Sequence, residues 1–409
     1  KLAQPFLEKI LNEYEHVLDG EWKELEEENE TDRRRGKDDA AGNKRWLKAK
    51  WVYPREQEFQ KKANNKRVIL YLHGGAYLLC NADSHRAITT KIASEADALV
   101  FAALHDALAA YLYLTNPPEN ANFEVIDPKQ IVIMGDSAGG GLAMALGLAI
   151  RDAGLPMVAG LSPWVDLTHS MPSLLNPLFA NTDYLPSSFF TQKSSPALDD
   201  FHRKSDALSR RIKKENKPQF WDDSFNRSER VQLYVPNEAL SVPYVSPMCA
   251  ASLAGLPPML IQTGDGERIR DEIIYFSFKA SQPEKYNLPL YNAENFRKSP
   301  FKTPTNVTLE IYQEMPHVFQ AFEYSTPAKI AFKNSGEFIK KVIDSATNQT
   351  AASIVSDQDF KESTYSVISP TGKHLPLKEE HHSVLRWNEV GKVPSVERPK
   401  IKPRSQNNS

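Results

Sequence analysis

Four short stretches of this chain carry residue types that could together transfer an acyl group. Ser137 lies in Gly135-Asp136-Ser137-Ala138-Gly139-Gly140, and His317 in Met315-Pro316-His317-Val318. Three carboxylates, Asp265, Glu267 and Asp271, share the stretch from Thr263 to Asp271, and paired glycines follow a histidine in His73-Gly74-Gly75. Acyl transfer needs a nucleophile, a base that takes its proton, an acid that orients the base, and donors for the developing oxyanion. Ser137 is the candidate nucleophile and His317 the candidate base. The backbone N–H groups of Gly74, Gly75 and Ala138 are the candidate oxyanion donors, and Glu267 or Asp265 is the acid. The chain order serine, acid, histidine suits a serine presented on a strand-to-helix turn.

Competing chemistry has less support. A phosphate-binding loop needs Lys and Ser/Thr after its second glycine, whereas Gly140 is followed by Gly141 and Leu142. No Gly-x-Gly-x-x-Gly is present. Of the ten histidines, His16, His169, His202, His374, His381 and His382 fall in polar or irregular regions that predict no rigid site. His85 and His105 lie in or beside expected helices, and His73 belongs to the glycine loop, which leaves His317. No His-Glu-x-x-His or Cys-x-x-Cys occurs, and adjacent His381 and His382 in a polar tail make a weak ligand pair. Neither metal nor cofactor is expected.

These residues need a scaffold. A β-branched run from Gln130 to Met134 enters the serine motif, and Leu142 to Ile150 leaves it as helix formers. The glycines at 135 and 139 let strand and helix approach, as in a nucleophile elbow. Apolar runs at Val68–Leu72, Leu99–Phe101, Pro258–Thr263 and Val307–Tyr312 read as buried strands, with a weak one at 157–161 and an edge strand within 46–53. Helices are expected through about Ala96, over 104–114, from Asp271 and over 328–343. The alternation predicts an α/β fold with a mostly parallel central sheet flanked by helices. Residues 1–44 read as an amphipathic helix and a charged linker, associated with a cap. The core spans 45–344, with a cap insert at about 168–255, and 345–409 is polar and expected to be disordered.

The 50 basic and 52 acidic residues leave a net charge of −2, so no field favours nucleic acid, and a small molecule is the expected partner. Two cysteines far apart in apolar surroundings predict buried free thiols. No apolar run reaches the ~18 residues that span a bilayer, and no signal peptide is visible. The first residue is Lys, so membrane association through an upstream segment stays open, as does the compartment.

Taken in order, His73-Gly74-Gly75-Ala76-Tyr77, Gly135 to Gly140, Gly264-Asp265-Gly266-Glu267 to Glu272 and Pro316-His317-Val318-Phe319 resemble the hormone-sensitive-lipase-like α/β-hydrolases. Ser162 to Thr168 and the polar tail look like fungal members, including steryl-acetate deacetylases. The resemblance implies the α/β-hydrolase fold and a metal-free esterase or deacetylase. Its expected substrate is a small apolar ester carrying a short, acetyl-like acyl group. The family's acid stands four residues before the last Asp of its loop, which favours Glu267 over Asp265. Two core segments depart from the family. The loop after Phe101 is cut short, and the strand after the elbow helix is squeezed into 158–161. An impaired deletion variant and a ligand-binding module on the same scaffold are therefore alternatives.

Overall fold

The computed structural model describes residues 3–12, 49–53, 67–77, 80–103, 107–165, 235, 239, 242–267, 269–286, 299–348 and 362–385. Among the described residues, the centre is a nine-stranded sheet. Strands β1 (Lys50–Val52), β2 (Val68–Leu72), β3 (Leu99–Ala103), β4 (Ile131–Ser137), β5 (Gly160–Val165), β6 (Met259–Gly264), β7 (Val307–Tyr312), β8 (Thr364–Ile368) and β9 (His374–Leu375) lie in the order β1-β3-β2-β4-β5-β6-β7-β8-β9. Every neighbouring pair from β3 to β8 is parallel, and only the two edge strands run antiparallel. This is the mostly parallel sheet that alternating strands and helices predict.

Both faces of the sheet are buried. On one, Leu70, Leu72, Ile131 and Ile133 pack with residues of α3 (Ala107–Thr115), α4 (Ala138–Ala153) and α5 (Arg270–Ser281). On the other, Ile69, Tyr71, Val132 and Met134 meet α2 (Arg86–Ala96) and α6 (Thr326–Asn348) through Ile92, Phe332 and Ile339. Alternate residues of one strand thus serve opposite cores, which explains why β2 and β4 are continuously apolar. Each such leucine or isoleucine contributes roughly 1.5–3 kcal/mol by leaving water. On the outside, α1 (Gln4–Leu11) seats Ile10 against Ala149 and Ala153 of α4, and Lys9 Nζ donates to the Ala153 carbonyl at 3.1 Å.

The two shortened segments keep their strands. All five residues of β3 pair with β2, from Val68↔Leu99 to Leu72↔Ala103. The helix is described from Ala107, later than the expected Leu104, and residues 104–106 lie outside the described residues. The strand expected at 157–161 lies further on, at Gly160–Val165, and pairs with β4 through Ser137↔Val165. Pro163 and Trp164 are strand residues. Trp164 is held there by the aromatic rings of Tyr71 and Phe332.

Other expectations need correction. Disorder does not hold for all of 345–409: α6 runs on to Asn348, and 362–385 form β8, β9 and α7 (Glu379–Ser383). The backbone pairing of β8 to β7, and burial of Val367 and Ile368, stabilise a segment too polar to stand out by composition. Cys249 is buried as expected, but Cys80 is exposed, on a loop where it adopts a positive φ of 68°. The charged linker up to 44, most of the cap insert at 168–255, and the tail beyond 385 lie outside the described residues. Among the described residues, no helix is long and apolar enough to cross a membrane.

Candidate active site

Ser137 closes β4 and precedes the first residue of α4, with φ 51° and ψ −129°. A non-glycine residue with such a backbone is strained, and the surrounding packing must hold it. The glycines do this by contact. A Cβ on Gly135 would collide with Gly139, and one on Gly139 would run into the Leu72 carbonyl, so helix and strand can close only without those side chains. The elbow thus lifts the Ser137 hydroxyl above the sheet end.

His317 meets it there. His317 Nε2 lies 2.8 Å from Ser137 Oγ, and His317 Nδ1 lies 2.7 Å from Glu267 Oε2. The imidazole and the Glu267 carboxylate are both buried. Glu267 Oε1 accepts from the Gly264 N–H at 2.8 Å and from the Thr263 hydroxyl, so one oxygen is fixed by its own loop and the other faces the imidazole. That pairing assigns the proton to Nδ1 and leaves Nε2 able to accept the serine proton. The acid loop approaches the histidine loop so closely that a Cβ on Gly264 would strike the backbone of Met315.

Asp265, the other candidate acid, faces away from His317. Its Oδ1 accepts from Arg270 Nη1 and His381 Nε2, each at 3.0 Å, and Lys378 Nζ lies 3.4 Å from Oδ2. Burial would raise this carboxyl, but His381 and the Arg270 and Lys378 cations outweigh it and hold it down at about 2. Asp271, also considered in the loop, pairs with Arg270 at 2.8 Å. His381, expected to lie in a loose tail, is instead fully buried against the acid loop. Its separation of 116 residues from Asp265 left no local pattern to read. The Asp265, Glu380 and His381 ligand atoms lie within 4.8 Å of one another, the spacing of a metal site. Two cations already neutralise Asp265, however, so this set is an ion-pair network.

The glycine loop is built differently from expectation. The Gly74 N–H donates to Asp136 Oδ1 at 3.1 Å, so this group ties the loop to the elbow and is not directed at a substrate. Gly75, Ala76 and Tyr77 follow with positive φ of 116°, 52° and 62°. Gly75 remains a candidate donor, the adjoining Ala76 becomes one, and the Ala138 N–H belongs to the unpaired first turn of α4. Asp136 is the hub beneath: Tyr71 Oη donates to Oδ1 at 2.6 Å and His85 Nε2 lies 3.2 Å from Oδ2. Burial would raise Asp136, but the bonds from His85, Tyr71 and Gly74 leave it lowered. For His85 burial opposes the charge, and Asp136 outweighs it, so the imidazole is raised. His85 also stacks on His73, with ring centroids 5.4 Å apart. Helical position hid this role for His85 in the sequence, where only its place near the glycine loop could have suggested it.

The chain has likenesses among known proteins. The α/β-hydrolase fold family matches residues 69–284. An acetyl-hydrolase of Streptomyces hygroscopicus is 29% identical over 71% of this chain and 79% of its own length. An esterase of Acinetobacter venetianus is 30% identical over 58% of this chain and 69% of its own. A crystal structure of EstE5 soaked with p-nitrophenyl butyrate has a TM-score of 0.46 at 26% identity, covering 72% of this chain and 81% of that one. These are bacterial relatives, and they do not carry the fungal affiliation. By the family match and the relatives together, the chain belongs to the α/β-hydrolase fold family, with the motif set of its hormone-sensitive-lipase-like members.

Proposed function

We propose that this carboxylic ester hydrolase is a serine esterase or deacetylase that works through an acyl-enzyme on short-chain, chiefly acetyl, esters of an apolar alcohol. The observation that carries the reading is the unbroken chain Ser137 Oγ to His317 Nε2 at 2.8 Å and His317 Nδ1 to Glu267 Oε2 at 2.7 Å. His317 takes the hydroxyl proton as Ser137 attacks the ester carbonyl, and Glu267 stabilises the imidazolium that forms. Backbone N–H groups of Gly75, Ala76 and Ala138 receive the oxyanion. His317 then returns the proton to the departing alkoxide, and the alcohol leaves. Water activated by the same imidazole hydrolyses the acyl-enzyme and restores Ser137. The acetyl preference draws support from the Streptomyces acetyl-hydrolase, and both relatives fit an ester substrate.

Purified protein should hydrolyse p-nitrophenyl acetate faster than the decanoate and take up a fluorophosphonate probe at Ser137. Ser137→Ala should lose labelling and about 10⁶ in kcat. A wild type that neither labels nor turns over would refute the proposal. Equal rates on acetate and decanoate would refute its acyl preference alone.

A further inference from the structure

The loop that carries Glu267 is gripped from a part of the chain that the reaction above does not use. Strand β8 lies parallel to β7 with Tyr312 opposite Ile368, while Gly264 of β6 sits opposite the same Tyr312. The C-terminal segment therefore reaches the sheet level at which the acid loop and the histidine loop both leave. Beyond β9 it folds onto Asp265, two residues from Glu267. His381 Nδ1 accepts the Lys378 N–H at 3.1 Å, which assigns the ring proton to Nε2, and Nε2 donates to Asp265 Oδ1 at 3.0 Å. Lys378 Nζ meets Oδ2, and Arg270 Nη1 donates to both the side chain and the carbonyl of Asp265. Inside the loop, the Asp265 N–H donates to Tyr312 O at 2.8 Å and the Gly266 N–H to Met315 O at 3.0 Å. Asp265 is thereby fixed on its backbone side by the histidine loop and on its side-chain side by the C-terminal segment.

We propose that His381 is a positioning residue for the acid: through its Nε2–H bond to Asp265 it holds the loop at the place where Glu267 meets His317. The proposal rests on the esterase reading above. His381 touches neither substrate nor the reacting atoms. It acts on the register of one loop, and a shift of about 1 Å at a remote position can cost 10²-fold in rate. Lys378, more exposed, is the auxiliary contact.

Two near-isosteres separate this role from simple helix capping. Gln presents its amide N–H where Nε2 stands, and Asn presents a carbonyl where Nδ1 stands. His381→Gln should therefore keep kcat within about twofold of wild type. His381→Asn and His381→Ala should lower kcat about 10- to 100-fold with KM unchanged. The low-field Nδ1 proton resonance of His317 in NMR should weaken in the same two variants. If Asn restores activity and Gln does not, the residue serves only as the cap of α7 and the proposal falls. It also falls if folded His381→Ala retains full kcat. If His381→Ala does not fold, the Gln and Asn variants, which keep a polar amide at this position, still decide. A wild type without Ser137-dependent turnover would count against the esterase reading, whereas an active wild type with indifferent His381 variants counts against this inference alone.

Discussion

At the scale of single residues, the site turns on two carboxylates two residues apart with different partners. Glu267 offers one oxygen to its own loop and one to His317, while both oxygens of Asp265 are taken by cations and an imidazole. Composition and order alone could not separate them, since both stand after a strand and before a helix. What separates them is which way the turn points each side chain, and that depends on Arg270 and on a histidine far along the chain. Glu267→Gln should keep the fold but present His317 Nδ1 with an amide that can favour the wrong tautomer. A loss of about 10⁴ in kcat with little change in KM is expected in steady-state assays on p-nitrophenyl acetate. Retention of most activity would show that the acid is elsewhere. The serine and histidine were legible because each sits in a local motif at a strand end. The candidate oxyanion donors were only partly legible, because the Gly74 N–H is claimed by Asp136, a bond that spans 62 residues.

At the scale of elements, the site is an agreement among the ends of β2, β4, β6 and β7. Continuous apolar runs made these strands readable, since each is buried on both faces. β5 was misplaced because Pro163 reads as a breaker, yet the stretch pairs with β4 and packs Trp164 on Tyr71 and Phe332. β8 was missed because its sequence, Thr364 to Ile368, lies within a polar tail, and only pairing to β7 reveals it. The acid and histidine loops meet backbone to backbone at Gly264. Gly264→Ala should therefore cost about 1–3 kcal/mol of stability, because neither backbone can move without disturbing a strand end. Activity measured well below the lowered Tm should also fall, since the added methyl pushes the Glu267 loop from the His317 loop. An unchanged Tm and unchanged turnover would mean that the two loops are not in the close contact described.

At the scale of the whole molecule, the nearly balanced charge conceals a few ionisable groups buried at unequal cost. Asp265 is lowered to about 2, so the stability it contributes is full above 3.8, its ordinary value, and is lost as pH falls towards 2. At Lys279 burial penalises the charged form instead. This lysine is fully buried on α5, its Nζ donates to the Met248 carbonyl at 2.7 Å, and burial lowers it from 10.5 to about 8, with nearby Cys249 opposing the change. Between pH 8 and 10.5 the unfolded chain holds a proton at this position that the folded protein has released, so this group makes stability rise with pH across that window. The rise amounts to about 3 kcal/mol, at about 1.4 kcal/mol per pH unit. Lys279→Met removes the titration and leaves the Met248 carbonyl without this donor, a cost of about 1–3 kcal/mol that does not vary with pH. Urea melts at pH 7, 8, 9 and 10 should therefore show wild type gaining on Lys279→Met as pH increases. A constant difference would mean that Lys279 keeps its ordinary affinity for the proton despite its burial.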